Sequence, residues 1–289
     1  MLDANTFTHK DVIEYLNNNF TNLKVDADTK YGTQLFSDHH GKSYPLVLFL
    51  DSTQNELDRI YGFLEPELFL EKLINIKNGN NTFPALRAQF ESGDQSSETI
   101  SLLASKYAEQ GEDSIAIILY GNILKSKNLS LSSFWKAKYF LSSQKLKENN
   151  PNALKQYIIT YDESPYIKEA VNKLIRYFQE TKNKEKELEC WNNYIHLFTN
   201  DPWFLNQYSW RMTEINKNLD VALNQVNHAL NIINKEDNGI ANIIDTKAEI
   251  LWKLGRTNEA IKVIEQAMLL DSKNEYYITQ KNKFLDTTN

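Results

Sequence analysis

The sequence predicts two architectures in series: an α/β unit over residues 1–79 and an all-α helical array over residues 84–289. Three observations predict it. The stretch "KSYPLVLFLD", Lys42 to Asp51, is a proline turn running into five consecutive apolar residues, Leu46 to Leu50, as a buried strand requires. After the polar linker "KNGNNTFP" strand patterning stops, and amphipathic segments of about a dozen residues take over. Inside the helical array a pair of windows shares one register. Ala104, Tyr107, Gly111, Ala116, Tyr120 and Ile123 match Ala248, Leu251, Gly255, Ala260, Ile264 and Ala267, spacing for spacing, which marks an internal repeat.

The composition narrows the function classes. Hydrophobic residues at 41% and charged ones at 24% describe a globular chain with enough apolar material for a core. A net charge of -6 without any basic stripe argues against nucleic acid, whose phosphates demand clustered Lys and Arg. No apolar run reaches the ~20 residues of a membrane-spanning helix, and "MLDANTFTHK" lacks the basic start and apolar middle of a signal peptide. The expectation is therefore a cytoplasmic protein as the sequence stands, or a periplasmic or exported one if a further segment precedes it.

The first unit reads element by element. "HKDVIEYLNNNF" is a helix with Val12, Ile13, Leu16 and Phe20 on or near one face. "TNLKVDAD" alternates, with Leu23 and Val25 on one side, and predicts a strand covered on one face. A short helix around "YGTQLF" leads to the proline turn, and the unbroken run of "PLVLFLD" predicts a central strand covered on both faces. "DSTQNE" is a turn and "LDRIYG" an edge strand. "EPELFLEKLINIKNG" closes the unit as a helix, with Pro66 in its first turn and Asn78 and Gly79 at its end.

That order, with "TFTHKDVIEYLNNNFTNLKVDAD", "SYPLVLFLD" and "RIYGFLEPELFLEKL", resembles the thioredoxin-like domains at the front of bacterial thioredoxin and tetratricopeptide-repeat proteins. The resemblance lacks the family's opening strand and Cys-x-x-Cys motif, and places Met1 inside the family's first helix. It implies that Tyr44 and Pro45 form a cis-proline pair whose backbone holds an extended substrate segment. It also implies that Gly62 is a recurrent family glycine. Gly41, where an apolar residue is usual, and Leu46, where threonine is usual, depart from the pattern.

The candidate reactive residues are few. Cys190 is the only cysteine, so no dithiol pair can form within the chain. In "KEKELECWNNYIHLF" the stripe is Leu188, Trp191, Ile195 and Phe198, with Cys190 off it and with Glu187 and Glu189 disfavouring a thiolate. His39 and His40 have no third ligand at metal spacing and read as loop surface, while Asp26, Asp28 and Asp51 read as turn chemistry. No catalytic residue, metal site or cofactor is expected.

The repeat has a mechanical reason. Ala104, Ala116, Ala248 and Ala260 let two helices approach closely, and the glycine between them accepts the backbone of a tight helix end. The pattern resembles the tetratricopeptide repeat, whose units stack into a solenoid. "LDVALNQVNHAL", with Ala222, Val226 and Ala229, supplies another second helix, and "NKEDNGI" carries a short insertion. Residues 131–200, including "SFWKAKYFLSSQKL" and "EAVNKLIRYFQET", read as diverged repeats. Trp191, Trp203, Trp210 and Trp252 read as inter-helix core. The resemblance implies a concave face for a peptide or protein partner. Where carboxylate clamps of this class use Lys and Asn, the last repeat has Asn242, Asp245, Thr246 and Glu249, whose two carboxylates would repel a carboxylate ligand.

Two functions follow as expectations. The first is a non-catalytic protein-protein interaction module, a redox-inactive thioredoxin-like domain fused to a helical repeat scaffold. The alternative is the C-terminal portion of a thiol-disulfide oxidoreductase whose Cys-x-x-Cys segment precedes this chain.

Overall fold

The computed structural model describes residues 2–237 and 239–286, so that Met1 and, within "NKEDNGI", Asn238 lie outside the described residues. The chain divides into two compact units, Met1–Lys173 and Leu174–Asn289.

The first unit opens with α1 (Lys10–Asn19), α2 (Lys30–Asp38), β1 (Leu46–Leu50), β2 (Glu56–Tyr61) and α3 (Pro66–Lys77). Thr29 caps α2 by accepting the Gly32 N–H at 3.0 Å, and Pro66 occupies the first turn of α3, where a missing N–H costs nothing. Asp51 shapes the hairpin turn: its carboxylate accepts the N–H groups of Thr53 and Asn55 at 2.8 and 2.9 Å. β1 and β2 pair antiparallel with Val47 opposite Ile60, and the register slips between Phe49 and Leu50. Phe49 and Ile60 join Val12, Phe69, Leu73 and Ile76 in a core between the hairpin, α1 and α3.

The expected α/β class is overturned. Among the described residues the only sheet is this two-stranded hairpin, and every other regular element is helical. The strand expected over "TNLKVDAD" does not form: residues 21–26 are irregular and Leu23 is 81% exposed. Alternation favours a strand, but without a neighbour to take its amides the segment gains nothing by pairing. β1 is likewise no central strand covered on both faces: it has one strand partner, Leu46 and Leu48 are half-buried, and Leu50 is exposed. The thioredoxin-like domain therefore falls, and with it both the redox-inactive thioredoxin and the oxidoreductase readings. The chain is an all-helical repeat protein with one hairpin near its start.

The helices of the first unit continue as α4 (Phe83–Glu91), α5 (Ser97–Glu109), α6 (Asp113–Ile123), α7 (Leu131–Gln144) and α8 (Asn152–Thr160). The unit boundary falls inside α9 (Ile167–Glu180). The second unit holds α10 (Lys184–Tyr194), α11 (Pro202–Ile215), α12 (Leu219–Ile232), α13 (Ile240–Lys253), α14 (Thr257–Leu270) and α15 (Glu275–Asp286). The first helices of successive pairs begin at Ser97, Leu131, Ile167, Pro202 and Ile240, 34, 36, 35 and 38 residues apart. That is the spacing of helix-hairpin repeats of the tetratricopeptide kind, ~34 residues.

The sequence sets these boundaries. Ser96, Ser130 and Asp201 cap α5, α7 and α11 by accepting first-turn amides. Ala104 and Ala116 in one pair, and Ala248, Ala260 and Ala267 in another, are completely buried, so the paired helices meet across small side chains. Gly111 and Gly255 turn between the helices at φ 91° and 76°, where a side chain would be strained.

In the first unit the hairpin docks on the end of α5. Arg59, whose side chain is 3% exposed, binds Glu56 through Nε at 2.6 Å and donates to the Glu109 carbonyl at 3.1 Å. The Tyr61 hydroxyl donates to that carbonyl at 3.2 Å, Lys42 to the Ala108 carbonyl, and Lys106 pairs with Asp58. Cations thus sit where the α5 dipole is negative and its last carbonyls lack helical partners.

Candidate functional site

Tyr44 and Pro45 lie at the start of the hairpin, where their peptide bond is cis. Tyr44 is 59% exposed and its ring lies 4.3 Å from that of Phe36. The first unit carries no cysteine, so nothing there supplies the sulfur that the thioredoxin resemblance sets beside this pair. His39 Nδ1 faces Glu56 at 3.8 Å, and among the described residues no three His, Cys, Asp or Glu side chains are grouped for a metal ion.

The first helices of the repeats carry the more distinctive chemistry. Asn172 on α9 is flanked by buried Ala170, Val171, Leu174, Ile175 and Phe178. Asn206 on α11 is flanked at the same offsets by buried Phe204, Leu205, Tyr208, Ser209 and Met212. Each asparagine has a carboxamide oxygen buried without any hydrogen-bond donor. Buried carboxamide oxygens ordinarily meet a donor, so both positions stand out from the core around them. The recurrence of one residue, one burial pattern and one unmet acceptor at repeat spacing makes a packing accident a poor explanation. Sequence reasoning passes over both asparagines, although their 34-residue spacing is visible in the chain.

In the second unit α13 packs beside α11. Trp203, Asn206 and Trp210 follow helical spacing along α11, with Trp203 39% exposed and Trp210 half-buried. On α13, Asn242, Asp245 and Glu249 do the same, and α15 holds them. Tyr277 donates to Asn242 at 2.9 Å, Gln280 and Tyr276 reach Asp245 at 3.4 Å, and Lys283 meets Glu249 at 2.5 Å while lying 4.6 Å from the Trp252 ring. Burial pushes the Asp245 carboxyl up to about 6, with the Gln280 hydrogen bond pulling against it and the Glu249 charge adding to it. Burial also drives the Tyr276 hydroxyl up to about 12. Asp245, Thr246 and Glu249 are all buried, so they are not an open clamp.

Of Trp191, Trp203, Trp210 and Trp252, Trp191 is core at 1% exposure, while Trp203 stands out from the surface. The stripe of α10 differs from expectation: Glu187, Cys190, Trp191 and Tyr194 are its buried residues. Glu187 can be buried because Arg211, Gln179 and Trp191 all donate to its carboxylate. Gln179 and Arg211 lie on α9 and α11, beyond the local pattern of "KEKELECW".

No helix among the described residues is long and apolar enough to cross a membrane. No protein-family model matches the chain, and no curated protein matches it. Among solved structures it is similar to the crystal structure of YrrB, described as a TPR protein with an unusual peptide-binding site. The identity is 14% and the TM-score 0.46, covering 68% of this chain and 98% of that one. At that distance no residue is transferable; the helix pairs and their spacing carry the repeat assignment.

Proposed function

We propose that the protein is a non-catalytic interaction scaffold that holds a peptide segment of a partner protein on the first helices of its repeats. The scaffold is residues 84–289, and residues 1–79 precede it as a helix-and-hairpin segment. The observation that supports this reading is the face of α11 in the second unit, where Trp203, 39% exposed, and half-buried Asn206 and Trp210 follow helical spacing. An exposed aromatic face of this kind takes an apolar side chain of an extended peptide at little conformational cost. Trp203 adds an exposed apolar surface on the same helix as Asn206.

The test is selection of random twelve-residue peptides displayed on phage against the whole protein, followed by titration of the selected peptides. Trp203→Ala or Trp203→Gln should weaken them roughly tenfold or more while leaving the melting temperature little changed, because the ring is exposed on the surface of α11. Failure to select any sequence above background, or variants that melt lower and bind equally well, would overturn the proposal.

A further inference from the structure

The two edges of the hairpin are unequal. The Gly62 N–H donates to the Pro45 carbonyl at 2.9 Å, and the Asp51 N–H donates to the Asn55 carbonyl at 2.9 Å. With the observed register, this places the amides of Val47 and Phe49 toward β2 and those of Leu46, Leu48 and Leu50 away from it. On the outer side of β2 the Arg59 N–H is already taken, by the Asp58 carboxylate at 2.8 Å, and α4 packs along that strand. The outer side of β1 has no strand, and no backbone bond from Leu46, Leu48 or Leu50 to another segment of the chain occurs among the described residues.

The side chains along this open edge are all apolar. Val47 and Phe49 face the core, whereas Leu46 and Leu48 on the opposite face are half-buried and Leu50 is 42% exposed. No charged residue interrupts Leu46–Leu50. Unprotected edges of this kind template strand addition, and a two-stranded hairpin is marginal by itself.

We propose that β1 pairs antiparallel with β1 of a second copy of this chain, joining two hairpins into a four-stranded sheet across a two-fold axis. The sequence of the strand selects this occupant. "LVLFL" is close to its own reverse, so centring the pair on Leu48 sets Leu46 opposite Leu50, Val47 opposite Phe49 and Leu48 opposite itself. Every apolar side chain then meets an apolar one, and the outward amides of Leu46, Leu48 and Leu50 find carbonyls. Five residues a side bury less than the ~1,200 Å² of a permanent interface, so the association is weak and concentration-dependent. This inference is independent of the peptide-binding proposal, which concerns other helices.

Sedimentation equilibrium of the full chain tests it, over about 10 to 500 μM, the range of a weak contact. Wild type should pass from monomer toward dimer. Leu48→Lys and Leu48→Glu should each lose at least tenfold in self-association, since the two-fold axis sets like charges face to face. An equimolar mixture of the two variants should regain dimer. Hydrogen exchange of wild-type β1 amides, which needs no variant, should slow as concentration rises. A chain that stays monomeric, a dimer unchanged by either charge, a mixture that fails to associate, or β1 exchange independent of concentration would each overturn it.

Discussion

Arg211 holds Glu187 by two parallel hydrogen bonds, Nε to Oε1 at 2.6 Å and Nη2 to Oε2 at 2.9 Å, across 24 residues of chain. Gln179 donates to the same carboxylate at 2.8 Å and Trp191 at 3.3 Å. The second unit therefore contains a carboxylate that is 2% exposed at its side chain and fully partnered.

Removing one member should be costly. Arg211→Ala strands the buried Glu187 carboxylate and should destabilise the second unit by about 3–5 kcal/mol, Glu187→Ala should cost less because Arg211 is part-exposed and keeps Glu214, and Glu187→Leu with Arg211→Met should recover most of the larger loss. Urea unfolding followed by tryptophan fluorescence checks both.

The same carboxylate gives an acid dependence. Burial alone would raise its pKa, but the hydrogen bonds from Arg211 and Gln179 and the guanidinium charge outweigh burial and hold it below the ordinary range. Its stabilisation is complete above the pKa of an unfolded glutamate, ~4.3, and is lost as pH falls through the lower folded value. A melting temperature that drops on acidification in wild type should drop less in the Glu187→Leu, Arg211→Met pair.

Asp245 acts in the opposite sense. Its folded pKa of about 6 lies above the ordinary 3.8, so between those values the folded state holds a proton the unfolded state has lost, and stability falls as pH rises. Asp245→Asn should raise the melting temperature at pH 7 and have little effect below about pH 4. Equal gains at both pH values would contradict burial of the charge as the cause.

The alanine seam should resist enlargement. Ala260→Leu forces α13 and α14 apart and should cost about 1–3 kcal/mol. Gly255→Ala, with open space around the new methyl but φ at 76°, should cost about 1 kcal/mol through backbone strain alone. Thermal melts of the two variants separate crowding from conformation.

The repeat half is legible because its determinants are local. Alanines at fixed offsets, a glycine between helices and serine or aspartate caps are properties of a dozen residues, and they bury where their spacing says. The first eighty residues mislead for the complementary reason. "LVLFL" and "TNLKVDAD" share a strand's apolarity or alternation, but pairing is decided by what lies alongside, and no strand lies alongside residues 21–26. Glu187 enters the sequence reading only as a charge near Cys190, because the partner that lets it be buried, Arg211, lies 24 residues on. Asn172 and Asn206 escape notice because an unmet acceptor is visible only once its surroundings are known.

The docking of the hairpin on α5 joins residues 48 to 66 apart, whereas each helix pair closes on neighbours within its own repeat. Contacts across long loops cost more loop entropy than those within a helix pair, so the contact between the hairpin and α5 is expected to open before the helix pairs do. Its release would leave α5 and α6 paired but would bare the carbonyls of Ala108 and Glu109, giving the molecule a partly opened state below global unfolding.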